Sequence, residues 1–376
     1  MNAAALALLL PVAPRPAADE RLSSRLSRIA RIYDLSSSGL LAQFGVAGAS
    51  ALALERDVSV AQGALIIART GLDVRAIKAM TYSDLAPRAY FMIAPRARYF
   101  CPQCAVTPAI GRKDAALPWT FWCCVHGVRL WAHEGQPMES FLPPSVLERL
   151  DPLARSGAAR LAAWARRRDP VAETGSPAVP DLLQFLTAPY RRASPPSLAE
   201  QPRLSLEARR ANHGFLTLPI TRQALLVVAP EYNRFAPVLA KPVRLGLDAL
   251  ACGSLLQNYA LAVAVARLTE NPVEHAAATL AAADVEGKAN LRRALRSWPL
   301  AIRRRIDAHL RRLLAAETAK VTLGRSKGGR TIMQFHKLCA SPGNYDALRP
   351  INCESKSRNY ARTGRAVDGI PGITAR

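Results

Sequence analysis

Four residues stand at a spacing that can do chemistry. Cys101 and Cys104 enclose Pro-Gln, Cys123 and His126 enclose Cys-Val, and eighteen residues separate the two pairs. Two pairs with two-residue spacers let two tight turns each present two donors to one ion. Thiolates and an imidazole in that number are a tetrahedral zinc set. The expectation is therefore one structural Zn2+ held by Cys101, Cys104, Cys123 and His126. Four protein ligands leave no position for water, so such a metal folds its segment and activates no nucleophile. A redox dithiol would use Cys-Pro-Gln-Cys alone; it leaves Cys123 and His126 idle, and no strand–helix–strand pattern surrounds the pair. A zinc deaminase places H-x-E ahead of P-C-x-x-C, whereas His133-Glu134 is contiguous and follows the cysteines. The bland alternative is four unrelated buried side chains. Cys124 and His133 are the nearest substitutes for a misassigned ligand.

The segments around this cluster carry a family resemblance. Arg98-Tyr-Phe-Cys-Pro-Gln-Cys104, Trp119-Thr-Phe121 and Cys123-x2-His126-Gly127-Val128-x-Leu130 resemble the core of the TniQ family. Leu10-Pro-Val-Ala-Pro-Arg-Pro16 and the stretch from Asp19 to Ala30 resemble its entry segment, so the likeness covers about residues 10 to 132. Arg25 stands where that family usually has Trp, and Cys124 where it usually has Pro. Many members add a Cys pair soon after the Leu; Trp131 to Gln136 offers none, so one metal is expected and not two. The resemblance implies a DNA-binding-like helical unit before the cluster. It also implies a non-catalytic accessory role in DNA transposition, in target-site selection. Such a protein is an adaptor that links target DNA, or a target-finding complex, to the AAA+ ATPase and the transposase of the same element. Homodimerisation fits the same resemblance.

The elements that position these residues read as helices. Leu22, Leu26, Ile29, Ala30 and Tyr33 recur at helical spacing, with Arg21, Arg25 and Arg28 expected on the opposite face. A break at Asp34-Leu35-Ser36 and a restart at Ser37 are compatible with a helix-turn-helix. A second pair follows: a helix over 61–70, a turn at Gly71-Leu72-Asp73, and a helix over 74–80 capped by Asp73. Leu65, Ala68, Leu72, Val74 and Ile77 are its expected core. Trp119, Phe121 and Trp122 should pack on helices. Ser145 with Glu148 has capping-box spacing, and Pro152 should bend or divide the helix that follows. The apolar run from Leu245 to Leu268 is broken by Gly253-Ser254 and Gln257-Asn258, and reads as a buried helix and not a membrane span.

The fold expected is mainly α. An extended arm (1–18) leads to an N-terminal helical, helix-turn-helix-like unit (19–90). A small zinc-ribbon-like knuckle (91–140) precedes a C-terminal helical domain (141–318) with a linker at about 169–180, and a basic, disordered tail (319–376) ends the chain.

The 376 residues carry 51 Lys and Arg against 28 Asp and Glu, a formal charge of +23. That excess points to a polyanionic partner, most simply DNA. The candidate phosphate contacts are Arg21, Arg25 and Arg28, and Arg303, Arg304 and Arg305. Seven cysteines, four of them at metal spacing, favour a reducing compartment over a disulfide framework. Residues 3–10 are apolar but lack a basic flank, so a bacterial cytoplasm is expected and no membrane partner. No P-loop, G-x-S-x-G or carboxylate cluster suggests an enzyme. The competing function is a zinc-containing, DNA-binding transcriptional regulator using the N-terminal helices.

Overall fold

Helix α1 (Leu22–Ile32) forms because Leu22, Leu26, Ile29 and Ala30 make one buried face. It has no side chain of its own at the N-cap. Its free Ser23 N–H instead donates to the Glu55 carboxylate at 2.9 Å, where a negative charge also complements the helix dipole. Ser36 caps α2 (Ser37–Gln43), accepting from Gly39 N–H at 3.0 Å. Then come α3 (Ala51–Arg56), α4 (Val60–Thr70) and α5 (Val74–Met80). Ser59 and Gln62 close a capping box on α4, Gly71 ends it in the left-handed region (φ 68°), and Asp73 caps α5. The expected helix over 61–70, the turn at Gly71 and the Asp73-capped helix are present, but the inward face differs. Ile66, Ile77 and Met80 enter the core, while Leu65 and Val74 stay exposed.

The structure, a computed structural model, describes residues 9–104, 110–132, 137–140, 142–168, 176–190, 223–235 and 244–326, all within one compact unit of the chain. The described part of the arm, from Leu9, has no regular helix or strand before the turn at Ala18-Asp19. Leu10 packs on the α1–α5 core, and Val12 exchanges two hydrogen bonds with the Tyr33 hydroxyl at 2.8 and 2.9 Å.

Beyond α5, strand β1 (Tyr99–Phe100) pairs antiparallel with β2 (Trp131–Ala132), Tyr99 opposite Ala132 and Phe100 opposite Trp131. The cysteine–histidine segment lies between them. Helix α6 (Pro144–Ala165) follows as one continuous helix through Pro152. The capping box at Ser145 does not form: Pro143 is the N-cap residue and Pro144 takes the first helical position, where a missing N–H costs nothing. Next come α7 (Val179–Leu186), α8 (Leu225–Val228) and α9 (Leu247–Cys252), then α10 (Leu255–Glu270), α11 (Pro272–Ala282), α12 (Val285–Ala294) and α13 (Leu300–Ser326).

Gly253-Ser254 is a real break, and Ser254 caps α10. Gln257-Asn258 is not: Asn258 is buried, and its amide donates to the Tyr99 hydroxyl at 2.8 Å. Helix α10 is buried from Leu255 to Ala266, as a helix apolar on every side must be. Helix α6 lies across it, and α11 packs on α13. One hydrophobic cluster runs from Tyr82 through Cys101, Phe121 and Leu130 to α6, α10 and Leu310; helices α1–α5 hold a second. The expected division near residue 141 falls inside the first cluster. Of the expected linker, 169–175 lies outside the described residues, and α7 begins at Val179. Of the expected tail, 319–326 is helical as the end of α13, and 327–376 lies outside the described residues. Among the described residues no helix is long and apolar enough to cross a membrane.

Gly157 sets the approach of α6 to α10. A Cβ there would stand 1.9 Å from the Ala262 carbonyl oxygen. Alanine would gain about 1 kcal/mol of helix propensity, but the clash is with backbone, and overpacking of this kind costs about 1–3 kcal/mol. Gly157→Ala should therefore lower the urea midpoint of the intact chain. An unchanged or raised midpoint would contradict the close crossing.

Candidate metal centre

Strand β1 delivers Cys101 to the start of a turn, and Cys104 N–H points back at the Cys101 sulfur at 3.4 Å. The second turn closes through Gly127 N–H to the Cys123 carbonyl and Cys123 N–H to the Val128 carbonyl, both 2.8 Å. Gly127 has φ +67°, so the reversal that aims His126 back at Cys123 needs the one residue without a Cβ penalty. Cys101 and Cys123 are buried, and His126 forms the exposed side of the group.

The four donor atoms all lie within 4.8 Å of one another. Cys104 and Cys123 sulfurs are 3.7 Å apart. His126 Nδ1 lies 3.5, 3.3 and 3.6 Å from the sulfurs of Cys101, Cys104 and Cys123. A tetrahedron with metal–sulfur bonds of about 2.3 Å and a metal–nitrogen bond of about 2.0 Å has edges of roughly 3.8 and 3.5 Å. The donor set therefore fits a tetrahedral cation, with Nδ1 as the imidazole donor. Cys104 stands as near to Cys123 Sγ and His126 Nδ1, at 3.7 and 3.3 Å, as a four-donor set requires.

Burial works against ionisation of Cys123. The backbone N–H groups of His126 and Val125, with the His126 and Cys101 side chains, overcome it and bring the thiol down to about 7. Burial, then hydrogen bonding to Cys123 and Cys101, pushes Cys104 up to about 11.

Cys124 is not a substitute ligand. It turns to Asp19 and Asp114, with which it forms a separate group of three, and burial together with those carboxylates pushes its thiol up to about 12. Asp19 is itself occupied, accepting the Asp114 N–H at 3.0 Å. His133 lies outside the described residues. Sequence spacing missed the Asp19–Asp114–Cys124 group because its members come from three separate segments.

The aromatic residues between the ligand pairs anchor the centre. Phe121 meets Tyr259 of α10 edge-on at 5.2 Å, Trp122 lies 6.2 Å from the same ring, and Arg155 of α6 stacks 3.9 Å over Trp122. The Tyr259 hydroxyl donates to Asp151 at 2.5 Å, and Arg129 bridges Asp151 and Glu139 at 2.6 and 2.7 Å.

The two sets of candidate phosphate contacts separate sharply. Arg21 is buried and spends its head on Glu55, at 2.5 Å from NH2 and 3.1–3.2 Å from Nε. Arg25 is buried and donates to the Pro14 carbonyl. Arg28 makes a two-pronged pair with Glu20, 2.8 Å on each side. These three are not the solvated basic face expected of α1. The residues that fix Arg21 and Arg28, Glu55 and Glu20, are almost fully buried acids. Arg304 and Arg305 are exposed as expected, and Arg303 is half-buried with its Nε unpartnered.

A family model described as TniQ matches residues 11–130, the segment that ends at the Cys/His group. No curated protein and no solved structure matches the chain.

Titration of the metal-free chain with Co2+ should saturate at one equivalent and develop thiolate charge-transfer absorption. Cys104→Ser and Cys123→Ser should abolish that signal and Cys124→Ser should keep it; loss with Cys124→Ser would move the ligand set. Separately, Glu55→Gln leaves Arg21 charged and buried without its counter-ion. Breaking a pair this buried costs about 3–5 kcal/mol. Chemical denaturation showing less than about 1 kcal/mol would put Arg21 back in solvent.

Proposed function

We propose that this chain is a non-catalytic accessory protein of DNA transposition. Its TniQ-matching segment would be a zinc-stabilised adaptor between target DNA, or a target-finding complex, and the AAA+ ATPase and transposase of the same element. The observation that carries the reading is the TniQ match over residues 11–130. The matched segment contains all four members of the Cys/His group.

Zinc is the metal that the three-thiolate, one-imidazole set suits best. When bound it supplies a cross-link and no reactive position, since all four ligands come from the protein. This chain's own residues do the rest. Cys101 and Cys104 hold the β1 end, and Cys123 and His126 hold the second turn. Phe121, Trp122 and Arg129 seat that turn on Tyr259, Arg155 and Asp151. The result is a rigid platform on which a partner can dock without induced folding. ATP hydrolysis and strand transfer belong to the partners.

One observation favours a second reading, a zinc-containing transcriptional regulator. The α4–α5 pair has a three-residue turn, and α5 leaves Val74, Arg75, Lys78 and Ala79 exposed. The two readings part on one experiment. The AAA+ ATPase and the transposase encoded nearest the gene are co-expressed with the tagged full chain, and the same chain is used to select from a random duplex pool. The adaptor predicts co-purification of the ATPase and no single enriched site from the chain alone. Enrichment of one palindromic operator, without ATPase capture, would sink the adaptor and favour the regulator.

A further inference from the structure

We infer that the corner from α12 into α13 is a docking face for the backbone of double-stranded DNA. The inference does not depend on the transposition reading.

Between Val285 and Ala316 the acidic residues are Glu286 and Asp307, against a run of arginines. Arg292, Arg293 and Arg296 are exposed where α12 ends. Arg304 and Arg305 are exposed in the first turns of α13, and Arg311 and Arg312 are exposed further along it. Arg304 with Arg311, and Arg305 with Arg312, are seven residues apart. Each pair therefore repeats on one side of the helix, about 10.5 Å along its axis. Duplex DNA presents about one phosphate charge per 1.7 Å of axis, so that span faces roughly six phosphates.

These guanidinium groups are not spent inside the protein. Among the described residues, every ion pair uses Arg21, Arg28, Arg129, Arg166 or Arg267. The Nε groups of Arg311 and Arg312 reach only backbone carbonyls one turn back, on Asp307 and Ala308. An ordinary solvated helix face interleaves both signs evenly; this one sets the exposed Asp307 against Arg304, Arg305, Arg311 and Arg312, and the excess repulsion is relieved by a polyanion. The opposite face of α13, Ile302, Ile306 and Leu310, is buried against the helical body. The charges thus sit on a fixed rod.

Charge complementarity names the phosphate backbone, and the aromatic content names its form. Single strands are held by exposed rings on which bases stack. The one aromatic residue between 285 and 316 is Trp298, and it is buried. A rigid rod without stacking rings suits a rigid duplex.

The test uses the full chain and fluorescence anisotropy with a fluorescent 30-base-pair duplex of random sequence, the matching single strand, and anionic vesicles. Binding to the duplex should fall linearly in log–log form with salt. The combined Arg304→Ala, Arg305→Ala, Arg311→Ala and Arg312→Ala variant should flatten that slope by about 3–4 units, at about 0.9 per phosphate contact. It should weaken all sequences alike. A control that removes four exposed charges outside α5, α12 and α13, at Arg15, Arg31, Arg96 and Arg168, should leave the slope within one unit. Replacing the same four α13 arginines by Lys should restore most of it, which separates charge from fold. Equal flattening by the control overturns the assignment. So does tighter binding of the single strand, binding of vesicles but not of duplex, or no duplex binding at low salt.

Discussion

The gathering of three sulfurs and one ring nitrogen within 4.8 Å is the constraint on which the rest of this chain depends. The segment that carries it has little regular structure to hold it. Among the described residues its strand pairing is two residues long, and its second turn closes on two backbone hydrogen bonds, Gly127 N–H to the Cys123 carbonyl and Cys123 N–H to the Val128 carbonyl. Such a segment gains too few backbone contacts to offset the entropy of ordering it. A cation bound by four side chains from two turns supplies that missing free energy, and metal affinity then becomes folding free energy. What the cross-link fixes is the pose of Phe121 and Trp122, and through them the seating on α6 and α10. The Cys/His group thus sits where the N-terminal third meets the helical body, beside direct contacts such as Asp84 with Arg166 and Ala86 N–H with the Ala165 carbonyl.

The basic residues show how the same side chain serves opposite ends. Arg21 and Arg28 are pinned by buried carboxylates, where removing either partner leaves an uncompensated charge. Arg25 occupies a buried site between the arm and α1, and its head finds the Pro14 carbonyl. The arginines of α12 and α13 have no such partners among the described residues. Net charge alone could not separate the two groups; the separation comes from where the acids are.

Much of the site was legible because its signals are local. Ligand spacing points to a tetrahedral set, Asp73 marks the start of α5, and the breaks read at Ser36 and Gly253-Ser254 fall where new helices begin. The mainly helical fold followed from apolar periodicity. What was not legible depends on distant partners. Glu55 lies 34 residues from Arg21, and nothing in the periodicity of α1 shows that its charged stripe is turned inward. The inward face of α4 was off by one position, because a short helix with apolar residues at both Leu65 and Ile66 is decided by what packs on it. Pro152 does not end α6 as a local rule suggests, since the surrounding packing carries the helix through. The length of α13 exceeded expectation for a related reason: its last turns carry no regular apolar stripe to announce them.

The most direct measurement of the central claim is X-ray absorption at the zinc edge on the full-length chain purified without added metal. The account predicts one zinc per chain, with a first shell of three sulfurs at about 2.3 Å and one nitrogen at about 2.0 Å, and no exchangeable oxygen. A shell containing water, a two-sulfur shell, or a folded chain carrying no metal would contradict it.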